Sequence, residues 1–138
     1  MDIRILAPGD EGLLIEAVAL TDEDWSPVAA PGHLADKDLV CIVALDAGKV
    51  VAFIYGHVLR RFEATSLFIY SVDTTPTHRR RGIAKAMLRA LAVEGRTGRW
   101  DEMFVFTNRG NAPAMALYAS AGGVSPPPAD VVMFDFEG

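Results

Sequence analysis

The chain has 138 residues, 51% of them hydrophobic and 22% charged, with a formal net charge of −5. That is one domain's worth of sequence with ample material for a packed core, which excludes a disordered chain, and its acidity disfavours a general nucleic-acid binder. The single cysteine, Cys41, allows no intramolecular disulfide, no Cys/His spacing suits zinc, and no apolar stretch approaches membrane-spanning length; with no signal peptide, a cytoplasmic protein is expected.

In chain order, Ile3 to Ala7 alternates as a short strand, and Asp10, after Pro8-Gly9, is placed to cap a helix whose apolar spacing runs from Leu13 to Ala19. Thr21 to His33 is different in kind. It holds Asp22-Glu23-Asp24, a tryptophan, Pro27 and Pro31, so it can be only a short helix or an ordered loop. Two readings of it stand, a solvated connection and an acidic wall over a cleft. Leu39 to Leu45 and Lys49 to Leu59 are rich in β-formers and are separated by Asp46-Ala47-Gly48, a turn suited to a hairpin. Cys41 falls in the apolar run of the first and reads as a buried structural thiol. After the loop Arg60 to Ser66, a third strand runs from Leu67 to Thr74, antiparallel to its predecessors.

The stretch Ser71 to Leu91 then reads as a strand, a tight basic loop and a helix. Within it, Arg79, Gly82 and Ala84 of His78-Arg79-Arg80-Arg81-Gly82-Ile83-Ala84 have an Arg-x-x-Gly-x-Ala spacing at the mouth of the helix. The first amides of a helix lack carbonyl partners and carry the positive end of the helix dipole. Gly82 and Ala84 let the main chain approach a bulky anion, and the arginines and His78 supply charge, so the spacing suits a diphosphate. The helix runs from Gly82 to Val93 and stops at Gly95. Met103 to Thr107 is a strand parallel to the one ending near Thr74, because a helix separates them. Asn111 to Ala121 is a helix ended by Gly122-Gly123, and Val131 to Phe136 is a last strand after Pro126-Pro127-Pro128.

The diphosphate loop resembles the acetyl-coenzyme A signature of the GCN5-related N-acetyltransferase (GNAT) superfamily. The segment Asn111 to Gly122, which reads Asn-x-x-Ala-x-x-Leu-Tyr-x-x-x-Gly, resembles its second signature. The resemblance implies an α/β (α+β) fold with a central mixed, mostly antiparallel sheet of six to seven strands, splayed in the middle and flanked by about four helices, over a single domain spanning residues 1–138. It implies acetyl-coenzyme A as cofactor, its pantetheine arm pairing with main-chain groups of Val72 and Thr74 in the splay. The pyrophosphate would lie on Arg79, Arg80, Arg81, Gly82, Ile83 and Ala84. Tyr118 matches the family tyrosine that protonates the departing thiolate, and Asn111 matches a position that hydrogen-bonds the cofactor arm and could equally be a helix cap. Main-chain amides near Val72 could hold the developing oxyanion.

The base that takes the acceptor's proton is left open among Asp73, Glu63 and His57. Segments from Val58-Leu59-Arg60-Arg61-Phe62-Glu63 to Val132-Met133-Phe134-Asp135 are similar to the aminoglycoside 3-N-acetyltransferases of the superfamily, over roughly Leu39 to Phe136. Where that family has a carboxylate after Ile-Tyr and an acidic pair before Pro-Ala, this chain has Ser71, Asn111 and Ala112. Asp73, two residues beyond Ser71 and on the same side of the strand, could replace the first of these. The expected partner is a small-molecule amine, with no nucleic acid, membrane or metal, and a homodimer is open. A peptide N-acetyltransferase and a non-catalytic acyl-coenzyme A sensor are the other readings.

Overall fold

The computed structural model describes residues 1–126 and 131–136. Among the described residues, strands β1 (Asp2–Ile5), β2 (Leu39–Asp46), β3 (Lys49–Arg60), β4 (Thr65–Thr74) and β5 (Glu102–Val105) form one sheet in sequence order. The first three pairings are antiparallel, and β4 pairs with β5 in parallel. The helices are α1 (Glu11–Val18), α2 (Ala30–Ala35), α3 (Ile83–Glu94) and α4 (Ala112–Ser120).

The continuous apolar run in β2 has a simple cause: both faces of the sheet are covered. Val40, Ile42 and Ala44 turn to one face, where they meet Ile54, Leu67 and Ile69 of the sheet and Met87 and Leu91 of α3. Cys41 and Val43 turn to the other, against Leu14, Ala17, Leu34 and Phe53. Burial pushes the Cys41 thiol up to about 12, so it stays protonated and inert, as a structural thiol should. On α3, Ile83, Met87, Leu88 and Leu91 form the buried stripe, and the helix carries the chain across between the two parallel strands, which no short turn could join. No helix among the described residues is long and apolar enough to cross a membrane, and no group of His, Cys, Asp and Glu there could hold a metal ion.

The expectations fail at three places. The sheet has five strands among the described residues, not six to seven. Val131 to Phe136, expected as the last strand, forms none, and its apolar side chains lie exposed. Strand-forming side chains do not make a strand without a partner edge, and this segment pairs with none. The proline run before it extends to Pro128, outside the described residues. Asp10 precedes α1 but does not cap it: its carboxylate turns back to accept from the Ala7 N–H at 2.9 Å and to pair with Arg4 at 3.3 Å.

Candidate active site

The β4–β5 ladder begins at Ser66 and Glu102 and stops at Ile69 and Val105. Strand β4 continues to Thr74, still paired with β3 as far as Ala52. Its last stretch, Tyr70 to Thr74, therefore has one paired edge and one open edge, which is the expected splay. The Thr75 N–H donates to Val51 O on the β3 side at 2.9 Å. Main-chain groups alternate in direction along a strand, so those of Val72 and Thr74 face the open side, where an amide-bearing arm can pair as another strand would.

A bulge marks the start of the splay. Tyr55 of β3 lies opposite Ser71 while the next residue, Gly56, lies opposite Ile69, leaving Tyr70 as the extra residue. Gly56 permits it: a Cβ there would sit 2.3 Å from the Phe68 carbonyl oxygen. The extra residue reverses which face the following side chains take. Upstream, Leu67 and Ile69 point into the α3-side core; downstream it is Val72 that does so. Ser71 and Asp73 emerge on the opposite face, across from Tyr55 and Phe53.

Asp73 is the meeting point of this region. Its carboxylate accepts from the Ser71 hydroxyl at 2.5 Å. Burial raises the Tyr118 pKa, and the charge of Asp73 raises it further. Tyr55 is raised by burial, by its hydrogen bond to Glu23, and then by the charges of Glu23, Tyr70 and Asp73. Past Val105 no β5 stands between the faces, so a residue on β4 comes within electrostatic reach of α4. Tyr118 borders a groove of about 510 Å³ along β5, lined also by Leu88, Val93 and Met103. A second cavity, about 210 Å³, opens on the α1–α2 face between Glu23, Trp25, His33, Phe53, Tyr55 and His57.

The loop before α3 has the form expected of an anion site. Gly82 is the N-cap at φ 75°, with no side-chain cap, and the first bond of the helix is Ala86 N–H to Gly82 O at 3.0 Å. The amides of Ile83, Ala84 and Lys85 thus have no carbonyl within the helix to bind. A Cβ on Gly82 would meet nothing within 4 Å, so the space in front of these amides is open. Arg80 and Arg81 are exposed there, whereas Arg79 turns back and donates from Nε to Thr74 O at 3.2 Å. Ile83 offers only its backbone, since its side chain is buried in the core. Asn111 caps α4, its side-chain oxygen accepting from Ala114 N–H at 3.1 Å.

Glu63 is not brought to this region. It lies exposed in the turn between β3 and β4, and at roughly 3.3 Å per residue the length of β4 puts it about 25 Å from Asp73. His57 lies on the wall of the smaller cavity, its ring edge-on to Tyr55 at 6.5 Å. Sequence reasoning misses the contribution of Tyr55 and its bond to Glu23. A lone glycine inside a strand, as Gly56 is, is the available signal for the bulge.

The model of the acetyltransferase (GNAT) family matches residues 10–122. The chain belongs to this family. This acetyltransferase is an acetyl-coenzyme A-dependent enzyme that acetylates amines. Solved structures of similar fold include an aminoglycoside acetyltransferase from an uncultured soil metagenomic sample, in complex with trehalose, with 21% identity over 99% of this chain and 95% of that one and a TM-score of 0.89. A second aminoglycoside acetyltransferase from an uncultured soil metagenomic sample shares 26% identity over 99% and 97% of the two chains, with a TM-score of 0.84. A third, AAC(6′)-Iy bound to a bisubstrate analogue joining coenzyme A to monomethyl-acetylneamine, shares 18% identity over 99% and 97%, with a TM-score of 0.80. No curated protein matches the acetyltransferase in sequence.

Proposed function

We propose that this acetyltransferase works in the cytoplasm on a primary amine of an aminoglycoside or similar polyamine. Acetyl-coenzyme A supplies the acetyl group as a thioester. The open amides of Ile83 and Ala84, with Arg80, Arg81 and Gly82, would hold its diphosphate, and Val72 and Thr74 main-chain groups its arm. Asn111, the N-cap of α4, would hydrogen-bond that arm through its side-chain amide. Asp73 takes the proton from the acceptor's ammonium, since only the free amine has a lone pair to attack with. The Val72 amide stabilises the oxyanion, Tyr118 gives its proton to the sulfur as the carbon–sulfur bond breaks, and the second proton that the nitrogen loses as the amide forms restores the Tyr118 phenol. Glu63 has no role in this scheme.

The observation that carries the acceptor reading is the hydrogen bond from the Tyr55 hydroxyl to Glu23, because Tyr55 lies across from Ser71 on the face where Asp73 emerges. It brings Glu23 of the acidic segment Asp22-Glu23-Asp24 to the face on which Asp73 emerges, so that a polycation would find charged partners in place of the water its ammonium groups give up. Initial rates with gentamicin-type aminoglycosides test this. The acceptor KM is expected to rise with salt and to rise about threefold in Glu23→Gln, the scale of one partly exposed charge pair; Glu63→Gln is expected to change nothing. Product NMR then separates acetylation at the 3-N position, which the sequence resemblance implies, from any other amine. No turnover of any aminoglycoside at millimolar concentration, with turnover of a peptide amine, overturns the reading.

The cofactor loop has its own test. Gly82→Val is expected to weaken coenzyme A binding at least tenfold by calorimetry, because a branched side chain fills the space open to the phosphate and resists φ 75°. Unchanged affinity in a folded variant removes the loop from the site.

A further inference from the structure

We propose that His78 and Asp46 form a latch that holds the diphosphate loop in its binding shape before the cofactor arrives, which makes both positioning residues for coenzyme A. The inference rests on reading residues 79–84 as the cofactor's diphosphate loop.

The expectation that His78 would supply charge to the phosphate is not met: its ring points elsewhere. Nε2 lies 2.9 Å from Asp46 Oδ2, and Nδ1 lies 2.9 Å from the Thr75 hydroxyl and 3.0 Å from that of Thr77. All the polar capacity of the ring is used on protein, and its side chain is only 17% exposed. Asp46 ends β2 at the turn into β3, paired with Lys49. The contact therefore ties the entrance of the loop to a rigid hairpin 32 residues away in sequence.

The loop needs such a tie. Arg80 sits at φ 63°, a left-handed conformation that a residue with a side chain avoids and that persists only where neighbours impose it. At its far end the loop is fixed by Ile83, buried in the core. At its near end the fixing contacts are His78 to Asp46, the His78 N–H to Thr75 O at 2.9 Å, and Arg79 to Thr74 O. Between these anchors hang only Arg80, Arg81 and Gly82, which carry the charge and open the space for the anion. Anchoring both ends removes ordering cost that binding would otherwise have to meet. The hydrogen bond to His78 is also the largest influence that holds the Asp46 carboxyl below its ordinary value, and the charge of Arg81 is the smallest.

The test compares two donors, acetyl-coenzyme A and S-acetylpantetheine, which lacks the diphosphate. The wild-type enzyme is expected to prefer acetyl-coenzyme A strongly. Asp46→Ala is expected to raise the KM for acetyl-coenzyme A and the Kd for coenzyme A about threefold, within the range of partly exposed pairs, with kcat held. His78→Ala, which loses every contact of the ring, is expected to raise them about tenfold, and His78→Gln, whose amide can still donate to Asp46, to recover most of that loss. With S-acetylpantetheine, Asp46→Ala is expected to behave as wild type. If the preference for acetyl-coenzyme A is strong and Asp46→Ala leaves it untouched, or if the loss is equal for both donors, the latch is overturned and the loop assignment stands. Equal use of the two donors by the wild-type enzyme overturns the loop assignment and the latch with it.

Discussion

Asp73→Asn is expected to lower kcat by about 10²-fold, the usual scale for a positioned base, while coenzyme A affinity is expected to stay at the wild-type value. The amide has the shape of the carboxylate, so the bond from the Ser71 hydroxyl can persist, but it takes no proton. The acceptor must then arrive as the free amine. The fraction of free amine rises tenfold per pH unit below its own pKa, so the variant's rate should climb steeply with pH where the wild-type rate is flatter. A pH–rate profile of the same shape in both, or a loss confined to acceptor KM, would make Asp73 a binding group and leave the base to be found elsewhere.

Tyr118→Phe has a different signature. It should also cost about 10²-fold in kcat, but with no steepening of the profile at low pH, because in the proposed scheme the acceptor still loses its proton to Asp73. Burial and the Asp73 charge hold the Tyr118 pKa above the ordinary phenol value of 10.0. The donor form therefore persists through neutral and mildly alkaline pH, and any activity lost to Tyr118 ionisation is lost only above the ordinary phenol value of 10.0. The phenylalanine variant should lack that alkaline limb altogether. A rise in the KM for acetyl-coenzyme A at unchanged kcat would identify Tyr118 as packing, which its place on the groove beside α3 also permits.

Much of this architecture is legible in the sequence. The hairpin around Asp46 to Gly48, the helix from the glycine loop, and the parallel crossover follow from local spacing and from the impossibility of joining parallel strands by a short turn. The loop's suitability for an anion also follows, because the orphan amides and the glycine are neighbours in sequence. What is illegible there is settled by tertiary pairing. Val131 to Phe136 has strand-forming residues, yet a strand is defined by its partner edge. Glu63 precedes the right strand in sequence and so suggests itself for the cleft; the strand's length carries it away. His78 adjoins three arginines and so suggests a phosphate ligand, and only the fold reveals an acid 32 residues distant waiting for it. The bulge leaves a trace in Gly56, but which residue of β4 is the extra one depends on the register of two strands together.

That extra residue gives β4 two reading frames. Before Tyr70 the odd-numbered side chains, Leu67 and Ile69, belong to the core under α3; after it the even-numbered Val72 does, and the odd-numbered Ser71 and Asp73 belong to the other side. Straightening this bulge without shortening the strand would therefore be a structural frameshift: it would drive the Asp73 carboxylate under α3 and push Val72 out to where the acceptor is to be met, although no residue of the strand would change. Losing the extra residue together with the bulge would instead restore plain alternation and leave Val72 and Asp73 on their present faces. Chimaeras built by exchanging β4 with another member of the family keep their chemistry only if the incoming strand and its bulge match: the extra residue needs a position 56 that has no side chain, and a strand without the extra residue must pair without the bulge.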